Sequence, residues 1–190
     1  MSEIIKMTDI THKNSLQRAT LAGGCFWCIE GAFSQLIGIH SAISGYMGGH
    51  VENPTYDDIC TGSSGHAEVV QLSFDAQEIT YQEIIEIFFT LHNPTQLNRQ
   101  GNDIGTQYRS AIFYHDESQQ SIAEKNIHEM TTANIFKQDI VTKVCPAEIF
   151  YTGEEYHQGY ANSNPQNQYC QAIVSPKLAK FRQTFIDKLK

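Results

Sequence analysis

Residues 18–36 read RATLAGGCFWCIEGAFSQL. Arg18 to Ala22 suit a short strand, Gly23-Gly24 interrupts it, and FWCIEGAFSQL then carries apolar residues at helical spacing. A strand passing through a glycine turn into a helix predicts an α/β chain and puts Cys25 near a helix N-terminus. Backbone N–H groups and the helix dipole stabilise negative charge there, so a thiolate is expected to form more readily at Cys25 than at an ordinary cysteine.

Working outward, His66 to Phe74 (HAEVVQLSF) and Arg109 to Tyr114 (RSAIFY) cluster β-branched and aromatic residues and are expected as strands of a central sheet. Thr80 and Glu83 have capping-box spacing ahead of IIEIFFTLH, and Asn93-Pro94 ends that helix. Asp116 caps an expected helix through QQSIAEKNIHEM. Thr152 and Glu155 repeat the capping-box spacing before EYHQGYANSN. Ser175-Pro176 reads as an N-cap followed by Pro at the first helical position, opening a C-terminal helix with KLAKFRQTFIDKL. The long Gly-, Asn- and Gln-rich stretch Asn93 to Tyr108 is expected to wall a site, because compact domains rarely keep such a loop idle. With no repeat or low-complexity tract, residues 1–18 are expected as an N-terminal arm and 19–190 as one catalytic domain.

Of the 190 residues, 41% are hydrophobic, enough for a substantial core. A net charge of −8 with no cluster of Lys or Arg argues against nucleic acid as a partner. The opening MSEIIKMTDITHKNSLQ lacks the long apolar run of a signal peptide or membrane span, so no membrane association and a cytoplasmic location are expected. A monomer is the default.

Five cysteines, Cys25, Cys28, Cys60, Cys145 and Cys170, are too few and too scattered for a disulfide-stapled scaffold. Cys60 and Cys145 are expected as inert buried residues. Cys25 and Cys28 have the spacing of a redox pair, which also suits half a zinc site. No second CxxC or close Cys-His pair completes that site, so neither metal nor cofactor is expected. Three other readings of Cys25 stay open: a thioredoxin-like oxidoreductase working through Cys25 and Cys28, an acyl transferase built from Cys25, His66 and Glu68, and a zinc-binding or redox-sensing module without turnover. Phe26 and Trp27 beside the thiol suit enclosure of a small apolar group such as an S-methyl.

GGCFWCIE at 23–30, GYMGG at 45–49, NPTY at 53–56, GHAE at 65–68 and GNDIGTQYRS at 101–110 resemble, in this order, the A-type peptide methionine sulfoxide reductase family. The match runs from about residue 20 to the C-terminus. The resemblance implies a two-layer α/β sandwich with a mixed central sheet flanked by helices. It also implies thiol-dependent reduction of the S epimer of methionine sulfoxide, free or in proteins, with thioredoxin as reductant, in repair of oxidative damage.

Residue by residue, the resemblance makes Cys25 the nucleophile and Phe26 and Trp27 the walls of the methyl pocket. Glu68 becomes the acid, Tyr56 and Tyr108 the donors to the sulfoxide oxygen, and Asp103 a residue that orders the site. Sulfoxide oxygen leaves poorly until protonated, which is why a thiolate alone is insufficient. Attack leaves a sulfenic acid on Cys25, and a second thiol condenses with it. Cys28, one helical turn away, and Cys170, at the family's C-terminal recycling position, are the candidates. Cys28 stands where other members have Gly. CQAIVSPKLAKFRQ reads as strand and helix where they have a Gly-rich tail with two cysteines, which argues against a long reach by Cys170. Each role has a plainer reading beside it: tyrosines pack, His66 satisfies a turn, and Asp103 in Gly-Asn-Asp-Ile-Gly is equally a turn residue.

Overall fold

A computed structural model describes residues 16–190. Of the expected N-terminal arm, residues 1–15 lie outside the described residues. Leu16 to Arg18 already belong to the first strand, because they pair with Ser73 to Asp75 across the sheet.

Strand β1 (Leu16–Gly23) turns at Gly24 into helix α1 (Phe26–Phe33), as the opening motif predicts. Strand β2 (Ile39–Met47), helix α2 (Tyr56–Cys60), strand β3 (Ala67–Asp75) and helix α3 (Tyr81–Leu91) follow. A two-residue hairpin, β4 (Arg99–Gln100) and β5 (Asp103–Ile104), lies inside the expected Asn93–Tyr108 loop. Strand β6 (Ser110–Tyr114), helix α4 (Glu117–Thr132), strand β7 (Lys143–Pro146), strand β8 (Tyr151–Thr152), helix α5 (Tyr160–Ser163) and helix α6 (Ser175–Thr184) complete the order.

The main sheet has the order β7-β6-β1-β3-β2-β8. Its pairings are antiparallel except β6 with β7, so the sheet is mixed, as expected. The period of two in β3 sorts its two faces: Val70, Leu72 and Phe74 join the large core under α1, α3 and α6, while Ala67 and Val69 join a small cluster with Ala22, Met47, Ala111 and Phe113. Glu68 shares the parity of Val70 and Leu72. It therefore points to the helical side, towards the start of α1.

Local signals hold where a cap is self-contained. Thr80 and Glu83 form both bonds of their capping box, and the Asp116 side chain accepts from the Gln119 amide. They fail where long-range packing takes over. Thr152 lies in β8, and the segment expected as one helix is a 3₁₀ turn (Glu155–His157) followed by the short α5, with Gly159 at φ +61° between them. Ser175 caps nothing. The expected strand at Cys170 is instead a π-helix (Cys170–Val174) that runs directly into α6, so Ser175-Pro176 lies within continuous helix. Among the described residues, no helix is long and apolar enough to cross a membrane.

Candidate active site

At the turn from β1 to α1, Cys25 occupies the N-cap position, and Cys28, one turn further, faces the core. Cys25 is half-buried and borders a cavity of about 280 Å³ lined by Phe26, Trp27, Tyr56, Glu68, Asp103, Tyr108, Asn167 and Tyr169. Seven residues singled out from sequence thus meet around one space. They come from α1, α2, β3, β5 and the 3₁₀ turn Thr106–Tyr108. The 93–108 loop is a wall of the site, through Asp103 and Tyr108.

Local structure explains several of these placements. Thr55 caps α2 in a full capping box with Asp58, so the following Tyr56 begins the helix in a defined direction. Gly49 lies against the His66 backbone, and a Cβ there would come within 2.3 Å of the His66 amide nitrogen. Glu68 is anchored by the Phe26 amide, which donates to its Oε2 at 3.0 Å. Asp103 accepts a hydrogen bond of 2.6 Å from the Tyr169 hydroxyl.

Burial dominates the electrostatics. Desolvation pushes the Glu68 carboxyl up to about 8 despite the Phe26 amide, and Asp103 and Cys28 add to the effect. Glu68 is therefore a neutral acid at pH 7. Desolvation, then the neighbouring Glu68, also raise the phenols of Tyr56 and Tyr108, which stay protonated as donors. Cys25 departs from the sequence expectation. Desolvation raises its thiol well above the ordinary range, pairing with Cys28 and proximity to Glu68 add to this, and the Trp27 amide at the helix start pulls only weakly the other way. Cys28 is lowered, first by its hydrogen bond with Cys25 and further by Lys177. A hydrogen bond couples the two thiols, and the helix terminus by itself does not make Cys25 the more acidic one.

The remaining cysteines sort differently from expectation. Cys170 is fully buried and lines no part of the cavity. Cys60 is exposed at the end of α2 and Cys145 half-buried in β7, so neither is the buried core residue expected of a lone cysteine. His66 has both ring nitrogens occupied: Nδ1 accepts from the Gly49 amide at 3.1 Å and Nε2 donates to the Val51 carbonyl at 2.8 Å. It has no free nitrogen to serve as a base for Cys25, which removes the acyl-transferase reading. Among the described residues, the cluster with metal-ligand spacing is His40, Asp75 and Glu78, which includes no cysteine.

Sequence reasoning missed a second ring of residues. Tyr160 stacks on Trp27 at 3.8 Å and 6°, Tyr169 meets Trp27 edge-on, and His157 accepts from the indole Nε1–H at 3.2 Å. Glu154 accepts from the Tyr56 amide at 2.7 Å and from the Tyr46 hydroxyl at 2.8 Å. Tyr46 stood in plain view in GYMGG. Glu154, His157 and Tyr160 lie in or beside a segment read only for helical spacing, and Tyr169 lies just outside the segments read.

Fold and cavity together define the class: an α/β protein with a two-thiol site opposite a buried, neutral carboxyl group. The family described as peptide methionine sulfoxide reductase matches residues 17–189. A similar relative is the peptide methionine sulfoxide reductase MsrA of Natronomonas pharaonis, 50% identical over 171 residues, spanning 90% of this chain and 96% of the relative. Among solved structures, Mxr1 from Saccharomyces cerevisiae in reduced form superposes with a TM-score of 0.75 at 33% identity, covering 83% of this chain and 90% of that one. Mxr1 in complex with Trx2 gives 0.52 at 25% identity, covering 77% and 86%. The chain belongs to the peptide methionine sulfoxide reductase family, and its activity is the reduction of methionine sulfoxide.

Proposed function

We propose that the chain reduces the S epimer of methionine sulfoxide, free or within oxidised proteins, through a sulfenic acid on Cys25. The observation that carries this reading is the single cavity joining the thiol, the neutral carboxyl of Glu68, two phenols and the aromatic pair Phe26 and Trp27. Three unlike walls select one hand of a sulfoxide. The methyl packs on Phe26 and Trp27, the oxygen meets Glu68, Tyr56 and Tyr108, and the sulfur faces Cys25. Asp103, bonded to Tyr169, orders the fourth side.

Glu68 gives its proton to the sulfoxide oxygen as the Cys25 sulfur attacks the substrate sulfur, and the Cys25 proton replaces the one Glu68 has lost. Two electrons pass from the Cys25 sulfur to the methionine sulfur. The S–O bond and the transient bond between the two sulfurs both break: the hydroxyl passes to Cys25, giving the sulfenic acid, and the electron pair stays on the methionine sulfur. A second thiol then condenses with it, forming a disulfide and releasing water. Cys28 is our choice for that thiol, because it lies within hydrogen-bonding reach of Cys25 and on the same helix, whereas Cys170 lies away from the cavity.

Regeneration needs a dithiol reductant, and we assign it to thioredoxin by analogy with the complex of Mxr1 and Trx2. Five scattered cysteines without the density of a disulfide scaffold suit a reducing compartment, and we place the chain in the cytoplasm as part of repair of oxidative damage. Residues 19–190 act as one catalytic domain and as a monomer.

The test is turnover of a blocked methionine sulfoxide of each configuration with a dithiol reductant. The S epimer is expected to be consumed, and C25S to abolish its consumption. Turnover of the R epimer alone, or of the S epimer by C25S, overturns this reading.

A further inference from the structure

Behind the methyl wall, the 3₁₀ turn after β8 carries a histidine that faces the cavity residues from the core side. His157 is 1% exposed and packed among rings, with Phe26 at 5.0 Å, Tyr56 at 4.5 Å and Tyr156 at 4.2 Å between centroids. Its Nδ1 accepts the Trp27 indole N–H at 3.2 Å. An Nδ1 that accepts carries no proton, so the neutral ring holds its hydrogen on Nε2. That Nε2 is buried with no hydrogen-bond partner, and it faces Glu154 Oε2 at 3.9 Å.

Glu154 is itself fixed. Its Oε1 accepts from the Tyr56 amide and its Oε2 from the Tyr46 hydroxyl. Burial opposes its ionisation, but these bonds outweigh burial and hold the carboxyl below its usual range. One carboxylate therefore touches the oxygen side of the cavity through Tyr56 and, across His157, the methyl side through Trp27.

We propose that His157, biased to its Nε2–H tautomer by Glu154, is a positioning residue for Trp27, and that protonating His157 releases the indole and weakens substrate binding. The imidazolium carries hydrogen on both nitrogens, so its Nδ1–H would confront the Trp27 N–H, donor against donor. The titratable groups packed on His157 are Glu154 on its own turn, Tyr56 from α2 and Tyr156; the other neighbours, Phe26 and Trp27, carry no charge. Burial favours the neutral ring, and the Glu154 carboxylate partly opposes that preference. The ring thus accepts the indole at neutral pH and loses it as pH falls. The effect on substrate rests on Trp27 forming the methyl wall.

Trp27 is the single tryptophan of the chain, so one indole N–H cross-peak reports it in a ¹⁵N spectrum of the full-length protein. In wild type that peak is expected to shift as pH falls from about 8 to about 5, with a midpoint below the ordinary histidine value. E154Q should move the midpoint lower still, because it removes the charge that favours the imidazolium. H157L should displace the peak at all pH values and raise KM by about 5-fold, the effect of one neutral hydrogen bond, with little change in kcat. H157N, whose amide oxygen can replace Nδ1, should restore both and abolish the pH response. An indole peak that stays fixed through the wild-type titration and in H157L overturns the proposal. A peak that responds as expected while KM does not overturns instead the placement of Trp27 in the methyl wall.

Discussion

The chemistry at single residues turns on how burial redistributes two protons. Glu68, raised to about 8, is protonated at neutral pH and loses its proton above that value, so kcat/KM is expected to fall as pH rises through about 8. E68Q should lower kcat/KM by about 10²–10⁴-fold and remove that alkaline limb, measured over a pH series. Cys25, raised by the same burial, rests as a thiol, and in the proposed mechanism it attacks as a substrate oxygen takes the Glu68 proton. The two thiols behind it separate by turnover number. C28S should complete one turnover per enzyme and then stall with thioredoxin, whereas C170S should continue cycling. The opposite pattern would move the resolving role to Cys170, in spite of its full burial. At this scale the residue types in GGCFWCIE, GHAE and NPTY were legible, because each is a local pattern. The direction of the Cys25 shift was not, since helix position is local and desolvation is not.

The elements place these groups by close approach and by caps. The motif GYMGG closes β2 where its glycines have no room for a side chain: Gly45 lies under the Tyr151 carbonyl of β8, and Gly49 under the His66 amide. G49A would force a Cβ to 2.3 Å from backbone that cannot yield without moving the start of β3. It is expected to destabilise the chain by about 1–3 kcal/mol, read as a lower midpoint in denaturant. The α1 start, the α3 capping box and the Asp116 cap of α4 were legible, because a cap is satisfied by neighbours within four residues. Strands β2, β7 and β8 were not. β7 and β8 are short, and each borrows its hydrogen bonds from a single long-range partner, β6 and β2 respectively.

Across the whole molecule, a carboxyl group kept neutral by burial is a cost to stability once the pH is high enough to ionise it. Glu68 has a folded pKa above its unfolded value, so the folded state binds the proton more tightly. Stability is then fully present below the unfolded value near 4.5 and declines as pH rises through about 8. E68Q, neutral at every pH and still able to accept from the Phe26 amide, should match wild type near pH 4.5 and melt roughly 5–10 °C higher at about pH 9, measured by thermal denaturation. Equal melting curves at high pH would show that solvent relieves the buried charge. The same division holds for what could be read in advance. By itself the sequence determined the strand, turn and helix around Cys25, because spacing specifies these, and the resemblance carried by its ordered motifs named the residues that meet in the cavity. Tertiary structure alone decided the sheet order, the π-helix that buries Cys170, the groups Glu154, His157, Tyr160 and Tyr169 packed around Trp27 and Tyr56, and which groups hold their protons. Those follow from contacts between segments about 130 residues apart and from exclusion of water, which no local pattern of residues expresses.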